Sequence, residues 1–210
     1  YASRQGLWGS AVFFEGVTDN LLINPPPEFA PSDAQLTISL WVLSHDFNQS
    51  DWQEFLMKGT NDHREYLLRP NSGDGKVTFA IYGQNHTHWM GSNRALKNGE
   101  WSHIAVTCDG EELNMYINGE QDANLSAPGI AFKNISKKLA IGRLGESNIE
   151  YFHGSMDDIR FHSRALSAGE IRQLYILEKP VAPPPPINEF TGNSHKIVNA
   201  SAQNRVSGYK

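Results

Sequence analysis

Leu36, Ile38, Leu40 and Val42 alternate with Thr37, Ser39 and Trp41 in the segment LTISLWVLS. Val77, Phe79 and Ile81 alternate with Thr78 and Tyr82 in KVTFAIYG, and Leu113, Met115 and Ile117 keep the same period in ELNMYING. A period of two over short segments predicts half-buried strands paired antiparallel. The punctuation agrees: Asp109-Gly110, Asn118-Gly119 and the run SGDG at 72–75 are turn sequences that tolerate positive φ. Residues 101 to 125 thus read as a strand, a turn at Cys108-Asp109-Gly110, a second strand and a turn at Asn118-Gly119. About ten such strands predict an all-β fold of two packed antiparallel sheets.

One stretch breaks the pattern. In SRALSAGEIRQLY the spacing predicts a short C-terminal helix, with Ser167 and Glu170 as a capping box and Leu166 and Ile171 at the staple positions. Ile171, Leu174 and Tyr175 form its apolar face, and Pro180 ends it. The run KPVAPPPP, 179–186, is a stiff proline-rich spacer of the kind that separates modules. We therefore expect a domain over 1–178, a linker over 179–186, and a polar tail over 187–210 that is too short for its own core. The tail is a loose end, added sequence or the start of another module.

Composition narrows the class. The 210 residues are 39% hydrophobic, enough for a substantial core, and carry a formal charge of −5. That balance argues against a phosphate-binding surface, so no nucleic-acid partner is expected. No apolar run approaches the roughly 20 residues that span a bilayer, so no membrane insertion is expected either. The opening YASRQGLWGS is neither a signal peptide nor an initiating Met, and reads as a mature product or an excised fragment. Cys108, the single cysteine, excludes an internal disulfide and reads as a small buried hydrophobe.

Five segments in order carry a resemblance. GLWGSAVFFEGVTDNLLI looks like an opening strand with its Gly-Asp turn, and LTISLWV like a tryptophan-bearing second strand. GEWSHIAVTCDGEELNMYINGE matches a hairpin pattern through Trp101, His103, Tyr116, Asn118 and Gly119. LAIGR and FHGSMDDIRFHSRALSAGEIRQLY complete it with a glycine, paired aspartates, a strand, Arg-Ala-Leu-Ser and a helix. Together, over residues 6 to 176, these resemble the LamG-like jelly-roll domain of the concanavalin A-like lectin/glucanase superfamily. The resemblance implies a jelly-roll sandwich, secreted or surface-exposed, that binds a glycan or polysaccharide within a multidomain protein. Its members commonly hold a structural calcium.

For that calcium, the resemblance points to Asp19 and Asp157 with a backbone carbonyl around Gly16. First and last strands pair in this fold, and calcium takes six to eight hard oxygens. Adjacent strand residues face opposite ways, so Asp158 is expected to pair with a nearby cation such as Arg160 or Arg164, or to cap a loop, instead. Where the family often has two acids in the first turn, Thr18 precedes Asp19, which lowers the ligand count.

Among five tryptophans, Trp41 and Trp101 match strand positions of the family and are expected in the core, with Trp8 packing as well. Trp52, in HDFNQSDWQE, and Trp89, in YGQNHTHWMGSNR, lie in polar surroundings. They are candidates for one platform that stacks on a sugar ring, with His45, Arg64, Asn85 and His88 as hydroxyl partners. His86 and His88 find no third ligand of suitable spacing for zinc.

Catalysis is not expected. A retaining glycosidase needs carboxyls about 5–5.5 Å apart, and no Glu-x-Asp-x-Glu run is present. Five Asn-x-Ser/Thr triplets begin at Asn48, Asn85, Asn124, Asn134 and Asn199, against roughly two by chance. They favour a secreted glycoprotein, and a glycan on Asn85 would crowd Trp89. The lack of disulfides suits a bacterial surface protein equally well. Three functions stand at this point: first a non-catalytic carbohydrate-binding module, second an adhesion module that binds protein through loop edges, and third a purely structural spacer between other modules.

Overall fold

The computed structural model describes residues 2–5, 10–24, 34–47 and 52–179. Trp8, the segment from Pro180 onward and the acceptor residues Asn48 and Asn199 lie outside the described residues. In chain order the strands are β1 (Ala2–Gln5), β2 (Ser10–Glu15), β3 (Leu21–Ile23), β4 (Leu36–Ser44), β5 (Leu56–Gly59), β6 (Arg64–Pro70) and β7 (Val77–Tyr82). They continue with β8 (Thr87–Gly91), β9 (Ser102–Cys108), β10 (Glu112–Ile117), β11 (Glu120–Ser126), β12 (Leu139–Ile141) and β13 (His153–His162), followed by helix α1 (Ala168–Glu178).

The expected two-sheet antiparallel sandwich with one short helix is what forms. One sheet runs β1-β2-β13-β4-β9-β10-β11 and the other β3-β12-β5-β6-β7-β8. The last strand lies between β2 and β4: His153 faces Glu15 and Met156 faces Val12, while Asp157 faces Trp41. The core between the sheets takes the alternating residues, Leu36, Ile38, Leu40 and Val42 from one side and Leu68, Phe79 and Ile81 from the other. The hairpin turn at Asn118-Gly119 has φ of 54° and 76°, a pair that matches the right-handed strand twist. Cys108 is buried; that burial pushes its thiol pKa up to about 11, and its Sγ donates to the Ala34 carbonyl.

β4 departs from the half-buried expectation, because its second face is covered too. Helix α1 lies over it. Trp41 is buried and stacks on Tyr175 at 5.5 Å, and its Nε1 donates to Glu178 Oε2 at 3.0 Å. Thr37 Oγ1 donates to the Arg164 carbonyl at 2.8 Å and accepts the Leu166 amide. The capping box forms as expected between Ser167 and Glu170. Ile171 and Leu174 then pack with Ala105, Tyr116 and Leu166. Trp101 is only partly buried.

The adjacent aspartates make a β-bulge. Between Asp157 and Arg160 the register shifts, and Asp158 takes φ of 45°. Asp157 Oδ1 accepts the Asp158 amide at 2.9 Å, and Arg160 bridges Asp158 (3.0 Å) and Glu178 (2.7 Å).

His103 sits fully buried under the helix. Burial, aided by the charge of Arg160, holds its pKa down at about 4. Glu178 stands 3.9 Å from its Nε2 but already holds Arg160 and Trp41, so desolvation prevails and the ring stays neutral. An unfolded histidine takes its proton near 6.5, whereas the native ring refuses it until about 4. Stability therefore falls as pH drops from 6.5 to 4, by about 3 kcal/mol from this residue. Urea denaturation across that range, compared with His103→Leu, checks it: the substitution flattens the slope.

Candidate functional site

The outward face of the six-stranded sheet carries a row of cross-strand partners, Trp89–Ala80–Leu67–Met57, set by the registers of β5 to β8. Met57, Leu67, Ala80, Leu144 and Tyr82 form a small apolar cluster separate from the main core. Two positions from Leu67 on the same strand, and on the same face, stands Arg69.

Arg69 brings the two candidate tryptophans together. Its Cζ lies 4.1 Å from the Trp52 ring centroid and 5.7 Å from that of Trp89, so the two indoles are less than about 10 Å apart. Trp52 is 45% exposed and Trp89 46% exposed. Trp89 also meets Tyr82 edge to face at 5.5 Å. Arg64 reaches the platform through Tyr82, donating from Nη1 to its hydroxyl at 3.0 Å, while its other nitrogens donate to Asn61.

The frame behind the rings is polar and largely buried. Gln53, beside Trp52, accepts the His153 amide at 2.9 Å and donates to the Asp46 carbonyl. The Glu54 amide donates to the Glu150 carbonyl at 3.1 Å. Arg69 Nη1 is 3.4 Å from Glu54 Oε1 and 4.0 Å from Glu150 Oε2. Burial raises the Glu54 pKa well above the ordinary carboxylate range; Arg69 opposes the rise and Glu150 adds to it. The Glu54 carboxyl is sealed behind Arg69, so it has no path to a ligand on the rings.

Three of the expected hydroxyl partners stand elsewhere. His45 packs against Phe13 and His153 at 6.1 and 5.2 Å, near the turn after β2. His88 faces Ile81 and Trp89 faces Ala80, so strand alternation turns the histidine to the opposite side of β8 from the indole. Asn85 and His88 line a separate cavity of about 240 Å³ with His86 and the segment Gly129–Ala131. A glycan on Asn85 would therefore meet that cavity before it met Trp89. Sequence reasoning missed Arg69, Tyr82, Glu54 and Glu150; Arg69 shares β6 with two further charges, Arg64 and Glu65, so nothing along the chain singled it out.

The expected calcium ligands are also spread. Gly16 lies against His153, where an added Cβ would come within 2.9 Å of the histidine Cβ. Asp157 is four places further along β13, about 13 Å at the rise of an extended strand. Asp19 Oδ2 accepts the Glu15 amide at 3.2 Å. Among the described residues no group of three or more His, Cys, Asp or Glu side chains is placed to hold a metal.

This geometry defines a β-sandwich with an aromatic platform on one sheet. The chain belongs to the concanavalin A-like lectin/glucanases superfamily: its Laminin G 3 model matches residues 15–172. Among curated proteins none matches in sequence. Similar solved structures include domain 4 of AbnA, an extracellular arabinanase of Geobacillus stearothermophilus, in complex with arabinotriose. Identity is 19%, TM-score 0.65, with 83% of this chain and 80% of that one covered. The carbohydrate-binding module of Ruminococcus gnavus IT-sialidase, bound to α2,3-sialyllactose, is 15% identical at TM-score 0.65, covering 79% and 96%. The binding domain of Paraclostridial Mosquitocidal Protein 1 is 15% identical at TM-score 0.69, covering 83% of this chain and 45% of that one. At such identities the likeness is one of fold. Among the described residues no helix is long and apolar enough to cross a membrane.

Two outcomes follow from the Arg69 frame. Arg69→Ala removes the guanidinium that packs on both indoles and hydrogen-bonds Glu54, and lowers stability by about 2 kcal/mol in urea denaturation. Native Glu54 keeps its proton to higher pH than the unfolded chain does, so its contribution declines as pH rises from 4.5 through the native value. Glu54→Gln removes that decline in a stability–pH profile.

Proposed function

We propose that this chain is a non-catalytic carbohydrate-binding module of a secreted or surface multidomain protein, stacking sugar rings on Trp52 and Trp89. The observation that carries it is the convergence of two half-exposed indoles on one guanidinium. An indole face suits the apolar face of a pyranose, and a framed cation beside it keeps the ring from collapsing onto the sheet. A polar surface has little other reason to hold two such rings at close range.

Two structural relatives described as sugar complexes support the reading, and one of them belongs to an extracellular enzyme. The non-catalytic part of the proposal has its support in Glu54: the fully buried acid behind the platform cannot meet substrate. Adhesion to protein is the competing function, favoured by the similarity to a botulinum neurotoxin binding domain in complex with synaptotagmin II. Calcium is a variable of the test, not a premise.

A glycan array probed with and without calcium separates these functions. Wild-type protein binds a defined set of glycans, Trp52→Ala and Trp89→Ala each weaken that binding by roughly tenfold or more, and melting temperatures stay close to wild type. An array blank at every calcium level rejects the sugar function and leaves adhesion.

A further inference from the structure

The edge strands of the two sheets, β8 and β11, lie side by side at one rim of the sandwich. Between them runs an open groove of about 510 Å³. Trp89 stands at the groove as well as on the platform, so the two features share an indole. The groove has an apolar part from Met90, Ala123 and Leu125, which also border the main core. Its polar wall includes Gln121, Asp122 and Asn124.

The charge in this groove is already neutralised. Asp122 accepts the Asn93 amide at 2.6 Å and Arg94 Nε at 2.7 Å, and its side chain is 1% exposed. What remains for a ligand is amide chemistry. Asn124 is exposed on β11, and a side-chain amide both donates and accepts, as a sugar hydroxyl does. Gly91 borders the same groove from β8, and an added Cβ there meets nothing within 4 Å, so the space beside it is open.

We infer that the Trp52–Trp89 platform is one end of an elongated site, which continues past Trp89 into the groove between β8 and β11 and takes an oligosaccharide chain along its length. The inference rests on the sugar-binding function proposed above. A mainly polar groove with side-chain amides on its wall and a small apolar patch suits the hydroxyl edges of a saccharide chain. A site of this length gains affinity with each sugar that enters the groove. Short oligomers that fill the platform alone leave it unused.

Titration calorimetry with arabino-, xylo-, cello- and manno-oligosaccharides of two and of six residues tests it. Two variants block the groove from opposite walls: Asn124→Tyr, at an exposed strand position that favours aromatics, and Gly91→Phe, where the space is open. The expected result is that six-residue chains bind wild type more tightly than two-residue ones. Either blocking variant, with its melting temperature kept, then weakens the six-residue chain about tenfold and leaves the two-residue ligand unchanged. If six-residue chains bind both blocked variants as they bind wild type, while Trp89→Ala abolishes binding, the groove is overturned and the platform stands. Equal affinity of wild type for two and six residues overturns it too. If no oligosaccharide of the set binds wild type, both the platform and its extension fail.

Discussion

The sandwich depends on where the closing strand lies. β13 pairs with β2 on one side and β4 on the other, which joins early and late strands in one sheet. The shift between Asp157 and Arg160, with Asp158 at positive φ, lets the chain bend and sends Arg160 toward Glu178 on the helix. Helix α1 then seals the outer face of β4. One irregular step in one strand thus ties sheet, helix and buried polar cluster together.

The aromatic site reflects a balance of desolvation against pairing. Arg69 is mostly buried, and a guanidinium is more weakly hydrated than an ammonium, which suits it to a place between rings and carboxyls. Its contact with Trp52 adds cation–π attraction, and Glu54 and Glu150 supply countercharge. Two acids for one cation leave a surplus, which burial resolves by favouring the protonated form of Glu54. The rings are held by this arrangement, and not by burial of the indoles themselves.

Sheet edges are usually a hazard, since unpaired strands invite aggregation. Here β8 and β11 bring their edges to one rim, and the space between them is lined by side chains. The Asp122 cluster with Asn93 and Arg94 fixes one end of that rim. An edge managed in this way is also a groove.

The strands, the Asn118-Gly119 turn and the capped helix were legible along the chain, because each depends on neighbours within a few residues. The period of two, the φ > 0 tolerance of Asn-Gly and the Ser167–Glu170 box act locally. Trp52 and Trp89 were legible as oddities, since polar surroundings gave them no core to join. Simple alternation would also have separated His88 from Trp89. What only tertiary structure decided was company: which face of β6 Arg69 occupies, that Glu54 and Glu150 lie behind it, that β4 is covered twice, and that Asp157 stands far from the first turn. Each of these turns on strand register between segments tens of residues apart. A shift of one residue reverses every side chain, and no local pattern carries that information.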